Sequence, residues 1–199
     1  MQKLFWIVPL LLLQSFTFST EPAVIKKPWS IQERLSAFVP QSTTVRDIYG
    51  SVWPAYSLEA DYLVWHHYSP FFNLGFMYKS GKSIGWQNST EVYLLPLIAG
   101  VNGLWHPKPW LHPFFGGGMG TAYIHFNDHS HYVRRHPHAW GGSLLLQAGC
   151  EMDFSSRLFF DLFTSYRWHF FHFAKHHGVK TYNPQMGGFE LGGSFGVRF

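Results

Sequence analysis

Charged residues are scarce in this chain of 199 residues: they make up 13% of it, whereas soluble domains carry about 25%. Long apolar runs are scarce too, because only residues 4–16 form one, and mean hydropathy is −0.07, which argues against a bundle of membrane helices. Aromatic residues, by contrast, make up 20%, and there are 19 glycines. This balance is typical of alternating strands in a lipid-facing sheet; the alternative is a secreted soluble β-sandwich.

Cysteine is nearly absent. Cys150 is the single one, which excludes an intramolecular disulfide of the kind that small secreted folds often need. A closed barrel needs no such cross-link, because its hydrogen-bond ladder has no free edge. The formal net charge of +4 is too small and too scattered to indicate nucleic acid as a partner.

Residues 1–19 have the pattern of an export signal. A short positive start, MQK, precedes the apolar stretch 4–16, and Thr17 and Ser19 occupy the −3 and −1 positions of a cleavage site. Pro9 and the short apolar length argue against a spanning helix. The sequence therefore predicts an exported protein.

The last segment, 187–199, alternates strictly between two kinds of residue. Phe189, Phe195 and Phe199 share one parity, and Glu190 and Arg198 share the other. Segments 139–152 and 157–170 behave alike, so that three runs alternate for a dozen residues or more. Tilted membrane strands need about 9–11 residues, whereas ordinary strands average about five or six. These runs are too long for a sandwich.

Four further strands are predicted at 57–67, 71–80, 90–101 and 111–126. An eighth, at 44–53, is needed to put both termini on the same side, although its alternation is poor. The turn after residue 152 is short, while 127–138 and 171–186 are long and polar, which is the asymmetry of outer-membrane barrels. We predict an all-β fold: an eight-stranded antiparallel transmembrane β-barrel, an up-and-down meander, over residues 44–199.

Residues 20–43 are predicted to form a periplasmic N-terminal segment ahead of the barrel. Within it, 30–38 (SIQERLSAF) indicates a short amphipathic helix, because Ser30 and Glu33 form a capping-box pattern and Ile31, Leu35 and Phe38 share a helical face.

The signal, the strand lengths, the stretch HPFFGGGMGTAY and the terminal FGVRF together resemble the small outer-membrane β-barrel proteins of the OmpA, OmpX and OmpW type. The resemblance implies a location in the bacterial (Gram-negative) outer membrane, with outer-membrane lipid and the barrel-assembly machinery as partners. It also implies that Phe199, with Phe189 and Phe195 on the same face, is the signal that this machinery reads.

Charged residues of the predicted strands fall on the inward parity. An eight-stranded barrel is just wide enough inside for side chains, so paired charges there would plug the lumen. A pore lined by the same residues is the alternative. The predicted lumen charge network comprises Glu59, Asp61, Lys79, Glu151, Asp161, Arg167, Glu190 and Arg198.

Most of the 13 histidines fall in two predicted extracellular loops. Imidazole favours zinc and copper, although no cofactor is required by any signature here. Protonation near pH 6 would alternatively make the loops cationic, suited to lipopolysaccharide or a host surface, and ordinary polar loops are a third interpretation. The candidate metal ligands are Asp128, His129, His131, His136, His138, His172, His176 and His177.

His67 and Ser69 form an H-x-S arrangement similar to the catalytic pair of the lipid A deacylase barrels. Pro70 follows directly, and the pair falls in a predicted periplasmic turn, which departs from that pattern. We therefore predict no enzyme, with a lipid A-modifying barrel as the alternative. The predicted function is a structural and surface-interaction role presented by the His-rich loops. The alternative is a narrow channel for small or hydrophobic solutes, responsive to metal.

Overall fold

The fold follows from the two-residue alternation of side chains, because each strand buries every second residue and exposes the residues between them. The computed structural model describes residues 28–64, 67–82, 88–128, 137–171 and 186–199. They form a closed barrel in which every strand pairs with its sequence neighbour, antiparallel throughout, and the last strand pairs with the first. The predicted eight-stranded meander is confirmed. The predicted signal peptide, 1–19, lies outside the described residues.

The elements follow one another along the chain as eight strands and one short helix. They are β1 (Trp29–Pro40), α1 (Thr43–Tyr49), β2 (Trp53–Tyr62), β3 (Tyr68–Lys82), β4 (Ser89–Leu104), β5 (Leu111–Asp128), β6 (His138–Asp153), β7 (Leu158–Phe171) and β8 (Gly188–Arg198).

The two ends of the barrel differ in their connections. One end, here the terminal end, carries both Trp29 and Arg198 and is closed by the connections 63–67, 105–110 and 154–157. The opposite end, here the loop end, carries α1 and the connections 83–88, 129–137 and 172–187. The predicted split into a short-turn side and a long-loop side is therefore present in the strand order.

The helix predicted at 30–38 is wrong, because these residues lie in β1. Gln32, Arg34 and Ser36 face inward and are buried, while Ile31 and Leu35 face outward and are exposed. Ile31 and Leu35 fit the alternation of a strand as well as a helical face, whereas Phe38 lies on the inward parity and is buried. The barrel therefore begins at Trp29 rather than at 44, and the predicted N-terminal segment 20–43 contains the first strand.

The strand predicted at 44–53 is also wrong, because most of it forms α1 at the loop end. Ser42 caps the helix by accepting a hydrogen bond from the backbone N–H of Val45, and Gly50 ends it at φ 84°. Val45 and Tyr49, four residues apart, share its buried face. No helix in the described part of the chain is long and apolar enough to cross a membrane.

Exposed aromatic side chains collect near both ends of the outer wall. At the terminal end, Trp29 and Tyr62 contact each other with ring centroids 4.6 Å apart. Toward the loop end, the ring centroids of Tyr123 and Trp140 lie 5.1 Å apart. Such belts are typical of proteins whose two rims lie at membrane–water interfaces. Trp53, at a strand end, is no part of them, because it is fully buried inside the barrel.

We expect Leu35→Pro to abolish barrel formation, because β1 pairs with both β2 and β8 and proline removes a ladder donor. The measurement is the mobility shift of refolded protein on gels run with and without heating. Leu35→Val, which keeps the N–H and an outward apolar side chain, is the control and is expected to fold. A folded Leu35→Pro variant would contradict the place of β1 in the barrel.

Candidate functional site

The middle of the barrel interior is organised around Arg34. Its guanidinium is 1% exposed, forms an ion pair with Glu59, donates a 2.9 Å hydrogen bond to Oε1 of Gln147 and lies 3.7 Å above the ring of Phe163. Asn73 donates to the same carboxylate at 2.9 Å. A buried charge is tolerated when it is paired and hydrogen-bonded; these contacts supply the pairing, while Nε of Arg34 has no hydrogen-bond partner among the described residues.

A second buried ion pair lies nearer the loop end. Arg167 Nε donates to Oε2 of Glu190 at 2.6 Å, and both side chains are 2% exposed. Ser36 and Ser165 also donate to this carboxylate, the latter at 2.9 Å. Glu190 of β8 is therefore held by donors from both neighbouring strands, β1 and β7.

Amides and hydroxyls connect the charges toward the terminal end. Gln32 donates to both Glu59 and Asp61 at 3.2 Å and accepts from Ser194 at 2.6 Å. Asp61 and Asp161 are buried here, and neither forms an ion pair with any described residue.

The loop-end half of the interior is mainly apolar, with Thr90, Ser143 and His169 as buried polar residues within it. Trp53 and Tyr49 meet edge to face at 5.7 Å, Phe38 contacts Trp53 at 5.9 Å, and α1 thereby packs into the mouth of the barrel. The buried apolar cluster consists of Phe38, Val45, Tyr49, Trp53, Ala55, Met77, Val92, Leu94, Ala122, Ile124, Ala139, Phe171 and Met186.

Glycines on the inner face of β8 make room for aromatic rings of neighbouring strands. A Cβ added to Gly196 would overlap the ring of Phe159, and one added to Gly188 would overlap the ring of Phe38. Aromatic rings over sheet glycines are a recognised way to fill such gaps. The inward-facing glycines of β8 thus leave space for phenylalanine rings inside a narrow barrel.

The terminal end carries a polar cluster. Arg198 forms ion pairs with Glu151 and, at 2.7 Å, with Oδ1 of Asp153. The other oxygen of Asp153 lies 3.1 Å from Nε2 of His112, and Nδ1 of His112 lies 2.8 Å from Nδ1 of His106. Charged and titratable groups from β5, β6, β8 and one turn therefore converge at this rim.

The structure brings most of the predicted lumen charges to the interior. Glu59, Asp61, Asp161, Arg167 and Glu190 are buried there, and Glu151 and Arg198 lie together at the terminal rim.

Lys79 is the exception to the predicted lumen network, because it lies at the loop end and donates to the carbonyl of Val52 at 2.9 Å. The sequence reasoning missed Arg34, which it placed in a helix, and missed Gln32 and Gln147. The polar residues Gln32, Arg34 and Ser36 on one parity, with Ile31 and Leu35 on the other, are the signal that would have found Arg34.

Phe189, Phe195 and Phe199, the predicted assembly signal, all face outward and are about half exposed. Phe199 follows β8 directly and exchanges backbone hydrogen bonds with Trp29, its N–H donating at 3.0 Å. They share one face, as the alternation implied. Whether assembly machinery reads them stays a prediction.

Of the predicted metal ligands, six histidines lie outside the described residues: His129, His131, His136, His172, His176 and His177. Asp128 ends β5, and His138 begins β6 opposite His125, with ring centroids 6.4 Å apart. The described residues therefore do not test the loop metal site.

The His67–Ser69 pair does not reproduce a lipid-facing catalytic site. Ser69 faces the interior and is 5% exposed, whereas the similar arrangement in the deacylases acts on the lipid-facing surface. Its register partner on β4 is Asn102, another buried interior residue.

No protein-family model matches the chain, and no curated protein sequence matches it. Among solved structures, Neisserial surface protein A (NspA) superposes with a TM-score of 0.57 at 13% identity over 86% of this chain and 97% of that one. OprG from Pseudomonas aeruginosa gives 0.57 at 11% identity over 87% and 96%. Ail, the attachment invasion locus protein of Yersinia pestis, solved with the heparin analogue sucrose octasulfate, gives 0.50 at 14% over 85% and 97%. The chain has the fold of the small eight-stranded outer-membrane β-barrels.

We expect Arg34→Met to lower the free energy of unfolding by about 3–5 kcal/mol, because it leaves the Glu59 carboxylate buried without its cation. Adding Glu59→Gln should restore much of the loss. The measurement is urea unfolding in lipid vesicles followed by tryptophan fluorescence.

Arg46→Met, on the exposed face of α1, is the matched control and should stay within about 0.5 kcal/mol of the parent. Equal stability of the Arg34→Met and Arg46→Met proteins would contradict a central role for the buried pair.

Proposed function

We propose that the protein is a closed barrel of the bacterial outer membrane, which presents its loop end at the cell surface and acts there in structure and surface interaction. The observation that carries this proposal is the set of buried side chains that the strands and α1 place inside the barrel. Charged pairs occupy the middle, and the apolar cluster under α1 occupies the loop-end half. A barrel filled in this way leaves its rims and its outer wall as the available surfaces.

The filled interior argues against passage of solutes. Arg34, Glu59, Asn73 and Gln147 meet across the barrel from β1, β2, β3 and β6, so that their contacts bridge opposite walls. A pathway through the middle would have to break at least one buried ion pair, which costs several kcal/mol. The narrow channel therefore has less support than the closed barrel.

The outer wall supports residence in a lipid bilayer. Large apolar side chains such as Leu74, Phe115, Leu162 and Leu191 are each about half exposed along the middle of the strands. In water they would form an apolar surface far larger than monomeric proteins expose, and outer-membrane lipid removes that cost. On this proposal the outward Phe199 at the end of β8 is what the assembly machinery reads.

The loop end has the chemistry for surface interaction. The sequence of the loops adds histidines and the basic residues Arg134, Arg135, Lys175 and Lys180, which suit anionic groups of lipopolysaccharide or a host surface. Zinc or copper binding by the loop histidines belongs to the same proposal. Ail, with the same fold, is by name an attachment protein, which is an analogy of fold alone.

We expect folded protein in planar bilayers to show no discrete conductance steps, because the interior pairs and the apolar cluster close the lumen. Only protein that shows the heat-dependent mobility shift on gels is used in this experiment, so that an absence of conductance steps cannot result from misfolding. Ohmic steps that change in the Glu190→Gln protein would contradict the closed barrel and support the channel.

We expect a thiol probe that cannot cross membranes to label Asp47→Cys on intact cells and not Ser156→Cys. Asp47 is exposed on α1 at the loop end, and Ser156 is exposed in the turn at the terminal end. Both substitutions are made with Cys150→Ala, which removes the single native thiol. Lysed cells, in which both should react, provide the control, and the reverse pattern on intact cells would contradict the proposed orientation.

A further inference from the structure

The terminal rim holds three histidines, two of which come from turns and one from the start of a strand. His112 is the second residue of β5, His106 lies in the turn before that strand, and His67 lies in the turn before β3. The ring centroids of His106 and His112 are 4.7 Å apart, and those of His67 and His106 are 6.0 Å apart. None of these belongs to the loop-end histidines.

Backbone hydrogen bonds fix this arrangement. The N–H of Trp105 donates to the carbonyl of Pro113 at 2.9 Å, which folds the turn back so that His106 meets His112. The N–H of Leu104 donates to the carbonyl of His67 at 2.7 Å, which holds the neighbouring turn alongside. Preorganised ligands of this kind lose little conformational entropy when an ion binds.

The hydrogen bonding of His112 leaves one nitrogen for a ligand. When Nε2 carries the proton that it shares with Oδ2 of Asp153 at 3.1 Å, Nδ1 carries a lone pair. That lone pair points at Nδ1 of His106, 2.8 Å away. A carboxylate that orients one nitrogen of a histidine while the other binds the ion is the usual outer-shell arrangement of zinc sites.

The surrounding charges suit a cation. A ligand atom of each of His112, Glu151 and Asp153 lies within 4.8 Å of the others. Arg198 pairs with Glu151 and with Oδ1 of Asp153, the oxygen that His112 does not use. The arginine therefore holds both carboxylates in place, including the one that orients the buried His112.

We propose that His106 and His112, with His67 as a third imidazole, form a binding site for a divalent late first-row transition metal ion at the terminal rim. The ion takes the position between the two Nδ1 atoms, the proton that His106 holds there moves to its Nε2 by tautomerisation, and Asp153 acts as a positioning residue for His112. Two nitrogens on one tetrahedral zinc, at Zn–N distances of about 2.0–2.1 Å, lie about 3.3 Å apart. The rings therefore need to separate by only a few tenths of an ångström.

The test is Zn²⁺ binding by the refolded full chain in detergent micelles, measured by competition with a chromophoric chelator. The six loop histidines outside the described residues are first replaced by asparagine, so that the rim is measured against a low background. We expect one Zn²⁺ per chain. His106→Gln and His112→Gln should each weaken binding by at least about tenfold, and Asp153→Asn by about 10–100-fold.

His125→Gln is the matched control, because His125 lies on β5 toward the loop end, away from the terminal rim; it should leave the affinity unchanged. The heat-dependent mobility shift confirms folding of each variant. If the His112→Gln protein does not fold, the Zn²⁺ affinity of the His106→Gln protein, whose substitution lies in a turn, still tests the proposal. With Cu²⁺, the parent should show imidazole nitrogen hyperfine structure in its electron paramagnetic resonance spectrum, and His106→Gln should lose part of it.

Unchanged Zn²⁺ affinity in the His106→Gln protein would overturn the proposal, because the two rings would then be a hydrogen-bonded pair only. Competition by Mg²⁺ would also overturn it, since a hard cation would indicate binding by the carboxylates instead. Neither result bears on the closed lumen or on the orientation of the barrel, which the conductance and labelling experiments test separately.

Discussion

The ladder between β1 and β8 is the pairing that turns a sheet of eight strands into a barrel. It runs from Ser30 opposite Arg198 to Pro40 opposite Gly188, and leaves neither strand with an edge. In a lipid surrounding, each unpaired N–H or C=O would cost several kcal/mol, so closure is a condition of residence in the membrane. The same register brings Ser36 of β1 to Glu190 of β8, and Gln32 to Ser194. The interior network is thus a consequence of closure.

Closure at eight strands also fixes the size of the interior, and the sequence meets that limit in two ways. Where the inner face is aromatic, the neighbouring strand supplies glycine, as with Phe159 over Gly196. Where it is charged, charges pair between neighbouring strands, as with Arg34 of β1 and Glu59 of β2, or accept a hydrogen bond, as Asp61 does from Gln32. Both arrangements require particular partners, because a charge without its partner, or a ring without a glycine opposite it, cannot move to a better position in so small an interior.

The strands from β2 onward could be predicted because lipid and interior impose opposite demands on successive residues. β7 shows this plainly, with Asp161 and Arg167 inside and Leu162 outside. The first strand was missed because Glu33 faces outward and Phe38 inward, so the apolar residues of 30–38 also fit a helix. The contact partners of Arg34 lie beyond any local pattern: Gln147 is 113 residues away. The rim histidines were missed for the same reason, since turns distant in sequence bring them together.

The two ends of the barrel interior carry different chemistry, and on our proposals this difference separates their functions. At the loop end, α1 packs Val45 and Tyr49 into an apolar cluster that contains no imidazole and no carboxylate. At the terminal end, Arg198 pairs with two carboxylates, one of which also orients His112. An ion held by imidazole there would shift a proton within His106 and leave both salt bridges intact. Metal binding at the terminal end and surface interaction at the loop end therefore depend on different residues.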